Sequence, residues 1–123
     1  MTEIMQRRTS IWRVVRTVLI ILIAAYVGII GAVTVHEAVG HGLVAEALGG
    51  DFRGVGIYLD GMGWADVDIS ELTPFRQALV FAGGYISTTL VAAILFLTSF
   101  ILRKEPISGI IITPIALAFL MDG

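Results

Sequence analysis

Residues 17–33 read TVLIILIAAYVGIIGAV and carry no charged side chain. A helix rises about 1.5 Å per residue, so this run alone covers roughly 26 Å of a hydrocarbon core about 30 Å thick. It continues without proline into the alanine-rich residues 32–48. One long helix is therefore expected from about Ile11 to Leu48, with Gly49-Gly50 as its stop. Across the 123 residues, 57% are hydrophobic and 15% charged. A soluble domain carries nearer ~25% charge, and a chain this short cannot bury so much apolar surface. The composition excludes an ordinary soluble globule and intrinsic disorder, and it points to a single membrane domain over residues 1–123.

Working outward, Gln77–Leu102 is a second charge-free run, introduced by Thr73-Pro74 and followed by Arg103-Lys104. A second helix over about 74–102 follows from it. A third, shorter apolar run occupies residues 106–121 and contains Pro114. Between the first two runs, residues 49–73 are punctuated by Gly50, Gly54, Gly56, Gly61 and Gly63. Val55, Ile57 and Leu59 alternate there, as do Ala65, Val67 and Ile69. That pattern suggests a hairpin about Asp60-Gly61, with a polar interfacial loop as the alternative. The expected fold is an all-α membrane protein of three transmembrane helices with a small glycine-rich β-hairpin or loop between the first two. Gly83-Gly84 suits close helix packing, and Trp12, Trp64 and Tyr85 suit interface anchors or packing positions.

Arg7, Arg8, Arg13 and Arg16 precede the first run, and Arg103-Lys104 follow the second. The positive-inside rule sets the N-terminus and the Arg103-Lys104 turn in the cytoplasm. A cleaved leader is disfavoured, because the apolar run continues in helical register into a polar motif with no small-x-small site. A net charge of -2, with no basic cluster on a soluble surface, gives no footprint for nucleic acid. Cysteine is absent, which removes disulfides, thiolate ligands and a cysteine nucleophile.

The chemistry concentrates in His36-Glu37-Ala38-Val39-Gly40-His41, which holds both histidines of the chain. Ionisable groups beside an apolar span are costly and point to function. Neutral imidazoles suit Zn²⁺, and an adjacent carboxylate can accept a proton from a water that the ion activates. In the H-E-x-x-H pattern the histidines stand at i and i+4, about 40° apart around an α-helix. Here they stand at i and i+5, about 140° apart in a regular helix. One extra residue taken up as a π-bulge would return them to one face, and Gly40 eases that distortion.

His36 to His41, followed by Gly42-Leu43-Val44-Ala45-Glu46-Ala47-Leu48-Gly49-Gly50, resembles the zinc-motif helix of the site-2 protease family of intramembrane metalloproteases. Val80-Phe81-Ala82-Gly83-Gly84-Tyr85 resembles the alanine-glycine turn of that family's next core helix, and Met121-Asp122-Gly123 resembles its Leu-Asp-Gly segment. The family spacing is H-E-x-G-H, so one residue is extra here; an H-E-x-x-G-H variant occurs in the dipeptidyl peptidase III family. The family's Asn-Pro element before Asp-Gly is absent, with Thr113-Pro114 in its neighbourhood. The resemblance implies one zinc ion held by His36, His41 and Asp122, with Glu37 as general base and Glu46 as a rival third ligand. It also implies that Gly54-Val55-Gly56 stands where members pair a hairpin with the substrate backbone. Members continue past the Asp-Gly segment, so the chain is expected to be a fragment or an unusually minimal domain.

The expected activity is hydrolysis of peptide bonds in or near transmembrane segments of protein substrates, by an enzyme in contact with membrane lipid. The alternative is a non-catalytic membrane protein binding a metal or haem through His36 and His41, or a degenerate protease relative. Glu37 discriminates the two, since a pure binding site needs no acid beside its ligand.

Overall fold

A computed structural model describes the backbone of residues 2–102 and 106–122, and side chains over 10–102 and 109–122. The expected Arg103-Lys104 turn lies outside the described residues. Helix α1 (Thr2–Thr34) runs without a break into a π-helix (Val35–Leu43) and a last α-helical turn, α2 (Val44–Ala47). It starts ahead of Ile11 because Glu3, Met5, Gln6, Arg7 and Arg8 all favour helix. Its end is a paired-bond stop. Gly49 takes a φ of 94°, its amide donates to the Glu46 carbonyl at 3.1 Å, and the Gly50 amide donates to Ala45 at 2.8 Å. The Arg76 guanidinium adds a bond to the Leu48 carbonyl at 3.1 Å.

Strands β1 (Asp51–Ile57) and β2 (Gly63–Asp68) form an antiparallel pair. The hairpin closes where the Tyr58 amide meets the Met62 carbonyl at 2.8 Å, with Gly61 at a φ of 86°. A bulge at Arg53 interrupts the register between Phe52 and Gly54. Arg53 spans the bulge, donating to Asp51 at 2.9 Å and to Asp68 at 2.6 Å. Bonds from the Ser70 hydroxyl and amide, then from Arg53, hold the Asp68 carboxyl below its usual range. A depressed carboxylate stabilises above its unfolded pKa and loses that contribution as pH falls through the folded value. The bulge amides are thus expected to stay protected down to about pH 4 and to open below it. Hydrogen exchange on wild type and Arg53→Ala checks this, and the variant should show a smaller step, because the Ser70 bonds to Asp68 remain.

Helix α3 (Pro74–Ile101) begins with Thr73 as N-cap and Pro74 in its first turn; α4 (Pro106–Asp122) closes the chain. The neighbours of α1 fix the topology. Opposite Ala32, Val35 and Gly40 stand Ala92, Ser87 and Gly84, so α3 runs antiparallel to α1. Opposite Gly28, Gly31 and His36 stand Ile115, Phe119 and Asp122, so α4 runs parallel to it. Ala32, Ala92 and Phe119, one from each helix, form one core; Ala45, Leu72 and Val80 form another beneath the hairpin.

Ser10–Ala47 and Pro74–Ile101 are long and apolar enough to cross a membrane; the apolar part of α4, Gly109–Asp122, is shorter. Among the described residues, two helices meet that length. Leu22, Ile23, Leu90 and Leu97 point outward, a surface that lipid satisfies. Hairpin and helix are tied together by the Tyr26 hydroxyl, which donates to the Leu59 carbonyl at 2.9 Å.

The tightest crossing joins Gly40 to Gly83-Gly84, where a Cβ on Gly40 or Gly83 would collide with the opposing backbone. Gly83→Ala is expected to destabilise the fold by about 1–3 kcal/mol through overpacking. Gly109→Ala, where a Cβ meets nothing, should not. Thermal unfolding in micelles compares them.

Candidate metal centre

The π-helix carries His36, Glu37 and His41. Its hydrogen bonds join residues five apart, so positions i and i+5 lie one above the other. The His36 and His41 rings accordingly meet edge to face, with centroids 4.9 Å apart and planes at 70°. Gly40 lies between them and admits the α3 backbone.

Because α4 runs parallel to α1, its last residue arrives opposite His36. Asp122 Oδ2 is 3.2 Å from His36 Nδ1, with side-chain exposures of 27% and 14%. Both atoms are buried without a hydrogen-bond partner. An unsatisfied buried polar atom costs about 1–3 kcal/mol, and a pair that faces each other is relieved either by a proton shared between the two atoms or by a cation bound to both. Two donors on one tetrahedral zinc, at about 2.0–2.2 Å each, lie about 3.3–3.6 Å apart. The observed gap of 3.2 Å lies just under that range and within ion-pair distance.

His41 stands beside this pair. Its Nδ1 is 2.8 Å from the Val80 carbonyl; with the proton on Nδ1, the imidazole donates there and Nε2 is left as the basic nitrogen. Among the described residues no three His, Asp or Glu side chains stand close enough to hold an ion as placed. The convergent donors are His36 and Asp122, with His41 adjacent. Glu37 is half-buried, under the hairpin, where a Cβ on Gly63 would sit 3.0 Å from its Cγ. Glu46 is exposed on α2. On β1, Gly54 has open space around it, while Gly56 lies beneath the Trp64 indole opposite it. A cleft of about 170 Å³ lined by Ile29, Val33, Gly61, Ala118, Met121 and Asp122 reaches the centre.

Three features escaped the sequence. Tyr85 meets the His36 ring edge on, at 5.1 Å and 80°; Gly84 lies flat against that ring; the Val80 carbonyl holds His41. The antiparallel crossing brings all three to the site, and the glycine pair was the one signal of where the crossing falls.

Deleting Val39, which is exposed, converts the spacing to i and i+4 and lets a regular α-helix keep both histidines on one face. This variant is expected to retain metal, whereas an alanine inserted after Val39 should lose it. Zinc content per purified chain reads both.

A family model described as Peptidase M50B-like matches residues 9–121. No curated protein and no solved structure matches the chain.

Proposed function

We propose a function from a plain premise: the chain belongs to the Peptidase M50B-like family and is related to the site-2 proteases. It is a membrane protein and a relative of metallopeptidases. Its proposed activity is zinc-dependent hydrolysis of peptide bonds in or near transmembrane segments. One observation carries this: His36 Nδ1 and Asp122 Oδ2, buried and unsatisfied, face each other at 3.2 Å beside His41 and Glu37.

His36, His41 and Asp122 would hold one Zn²⁺. A bound zinc supplies Lewis acidity toward water and the scissile carbonyl. The Glu37 carboxylate accepts the proton of the attacking water and returns it to the leaving amine. Backbone at Gly54 and Gly56 would pair with an unwound substrate segment, which must satisfy its freed amides somewhere in the bilayer. An apolar cleft of about 330 Å³ between α1 and α4 shares Ile29, Ala118 and Met121 with the cleft at Asp122, which suits an apolar substrate. The chain would be an integral, multi-pass protein in contact with lipid, its N-terminus cytoplasmic.

A second reading is favoured by the separation of His41 from the other two donors, since no three ligands converge among the described residues. It is a non-catalytic relative that binds a metal or haem. The test is wild-type protein in proteoliposomes, assayed for zinc per chain and for cleavage of a single-span reporter. Zinc with cleavage supports the protease; zinc or haem without cleavage supports the rival.

A further inference from the structure

We propose that Asp60, at the tip of the hairpin, recognises a cation and so selects as substrate a transmembrane segment that carries one lysine or arginine. This inference deepens the substrate side of the protease reading above and rests on it.

The hairpin folds back along α1 instead of standing away from it. Gly63 lies against Val33 and Gly61 against Ile29, since a Cβ at either glycine would collide with those side chains. At the tip the Tyr26 hydroxyl donates to the Leu59 carbonyl at 2.9 Å. Tyr26 stands midway between Arg16 and His36, roughly 15 Å along the helix from either. The tip is therefore level with the middle of the charge-free run 17–33, about halfway through a hydrocarbon core some 30 Å thick. Tyr58, Leu59 and Met62 suit that level, being large, apolar and exposed. Asp60 does not.

The Asp60 side chain is exposed and accepts one bond, from the Met62 amide at 3.1 Å. That bond shapes the turn, and an asparagine would make it equally well. Among the described residues Asp60 has no ion-pair partner; Arg53, the arginine of the hairpin, is held at the foot by Asp51 and Asp68. An ionisable group at such depth is costly, and it pairs with an opposite charge or lines a polar path. The next residue shows where that charge would come from. Gly61 lines the cleft that ends at Asp122, with Ile29, Val33, Ala118 and Met121, so a chain lying in the cleft passes Asp60. Ile29 and Tyr26 are roughly 10 and 15 Å along the helix from His36, a distance that an extended chain covers in about three to five residues. A lysine or arginine at that spacing from the scissile bond pairs with Asp60, whereas an apolar residue leaves the carboxylate unpaired.

The experiment steps one lysine through a single-span reporter, with methionine at the same position as control. Affinity is read on Glu37→Gln protein and cleavage on wild type, both in proteoliposomes. Lysine at three to five residues from the cleaved bond should bind about tenfold more tightly than methionine and be cleaved preferentially. Asp60→Asn, which keeps the bond to Met62, should lose this preference, and Asp60→Lys should transfer it to a glutamate reporter. Equal affinity for lysine and methionine at every position, or a preference unchanged in Asp60→Asn, would overturn the inference; cleavage by wild type in that case leaves the protease reading standing. A lysine preference in binding that depends on Asp60, without cleavage by wild type, would support recognition by Asp60 and overturn the protease reading.

Discussion

Glu37→Gln is expected to keep its zinc and to lose turnover by about 10²- to 10⁴-fold, the usual contribution of a positioned general base. The carboxylate sits half-buried next to His36 on the π-helix, with the hairpin's Gly63 against its side chain. Glutamine keeps its length and volume there, so the packing at Gly63 and the π-helix have no reason to change. What the amide lacks is the basic oxygen that accepts a proton from the attacking water. Zinc per chain and cleavage of a single-span reporter in proteoliposomes measure the two effects separately. Undiminished turnover would assign the base to another group. Loss of zinc together with activity would make Glu37 a structural part of the centre instead.

The distorted helix was legible because two histidines five apart can share a face only if a residue is taken up between them, and the structure has a π-helix over Val35–Leu43. The stop at Gly49-Gly50 was legible for an equally local reason, the left-handed conformation at Gly49. Alternation with glycine pointed to a hairpin with a loop as the alternative, and the structure has the hairpin. What sequence could not give was the relative placement of helices. The pattern of α4 has no feature that says it runs parallel to α1, and that direction alone carries Asp122 to His36. Tyr85 suited either an interface anchor or a packing position, and the antiparallel crossing makes it a packing residue on the His36 ring.

The corresponding loss of metal is expected in His36→Ala. Removing the imidazole takes away one of the two donors that already face each other, and it leaves Asp122 Oδ2 buried with no partner at all. A catalytic zinc held by three protein ligands cannot spare one of them without a large fall in affinity, and about 10²-fold or more is expected. His41→Ala should fall as far, because its ring, with its centroid 4.9 Å from that of His36, is the second imidazole of the proposed site. Asp122→Asn separates the two candidates for the third ligand: it should lose zinc, while Glu46→Gln, changed at an exposed position on α2, should not. The measurement is zinc per chain and competition against a chelator of known affinity, with circular dichroism to confirm the helices. Full zinc in both histidine variants would reject the centre. Zinc lost in Glu46→Gln and kept in Asp122→Asn would move the third ligand to α2 and leave the contact at 3.2 Å as a structural ion pair between parallel helices.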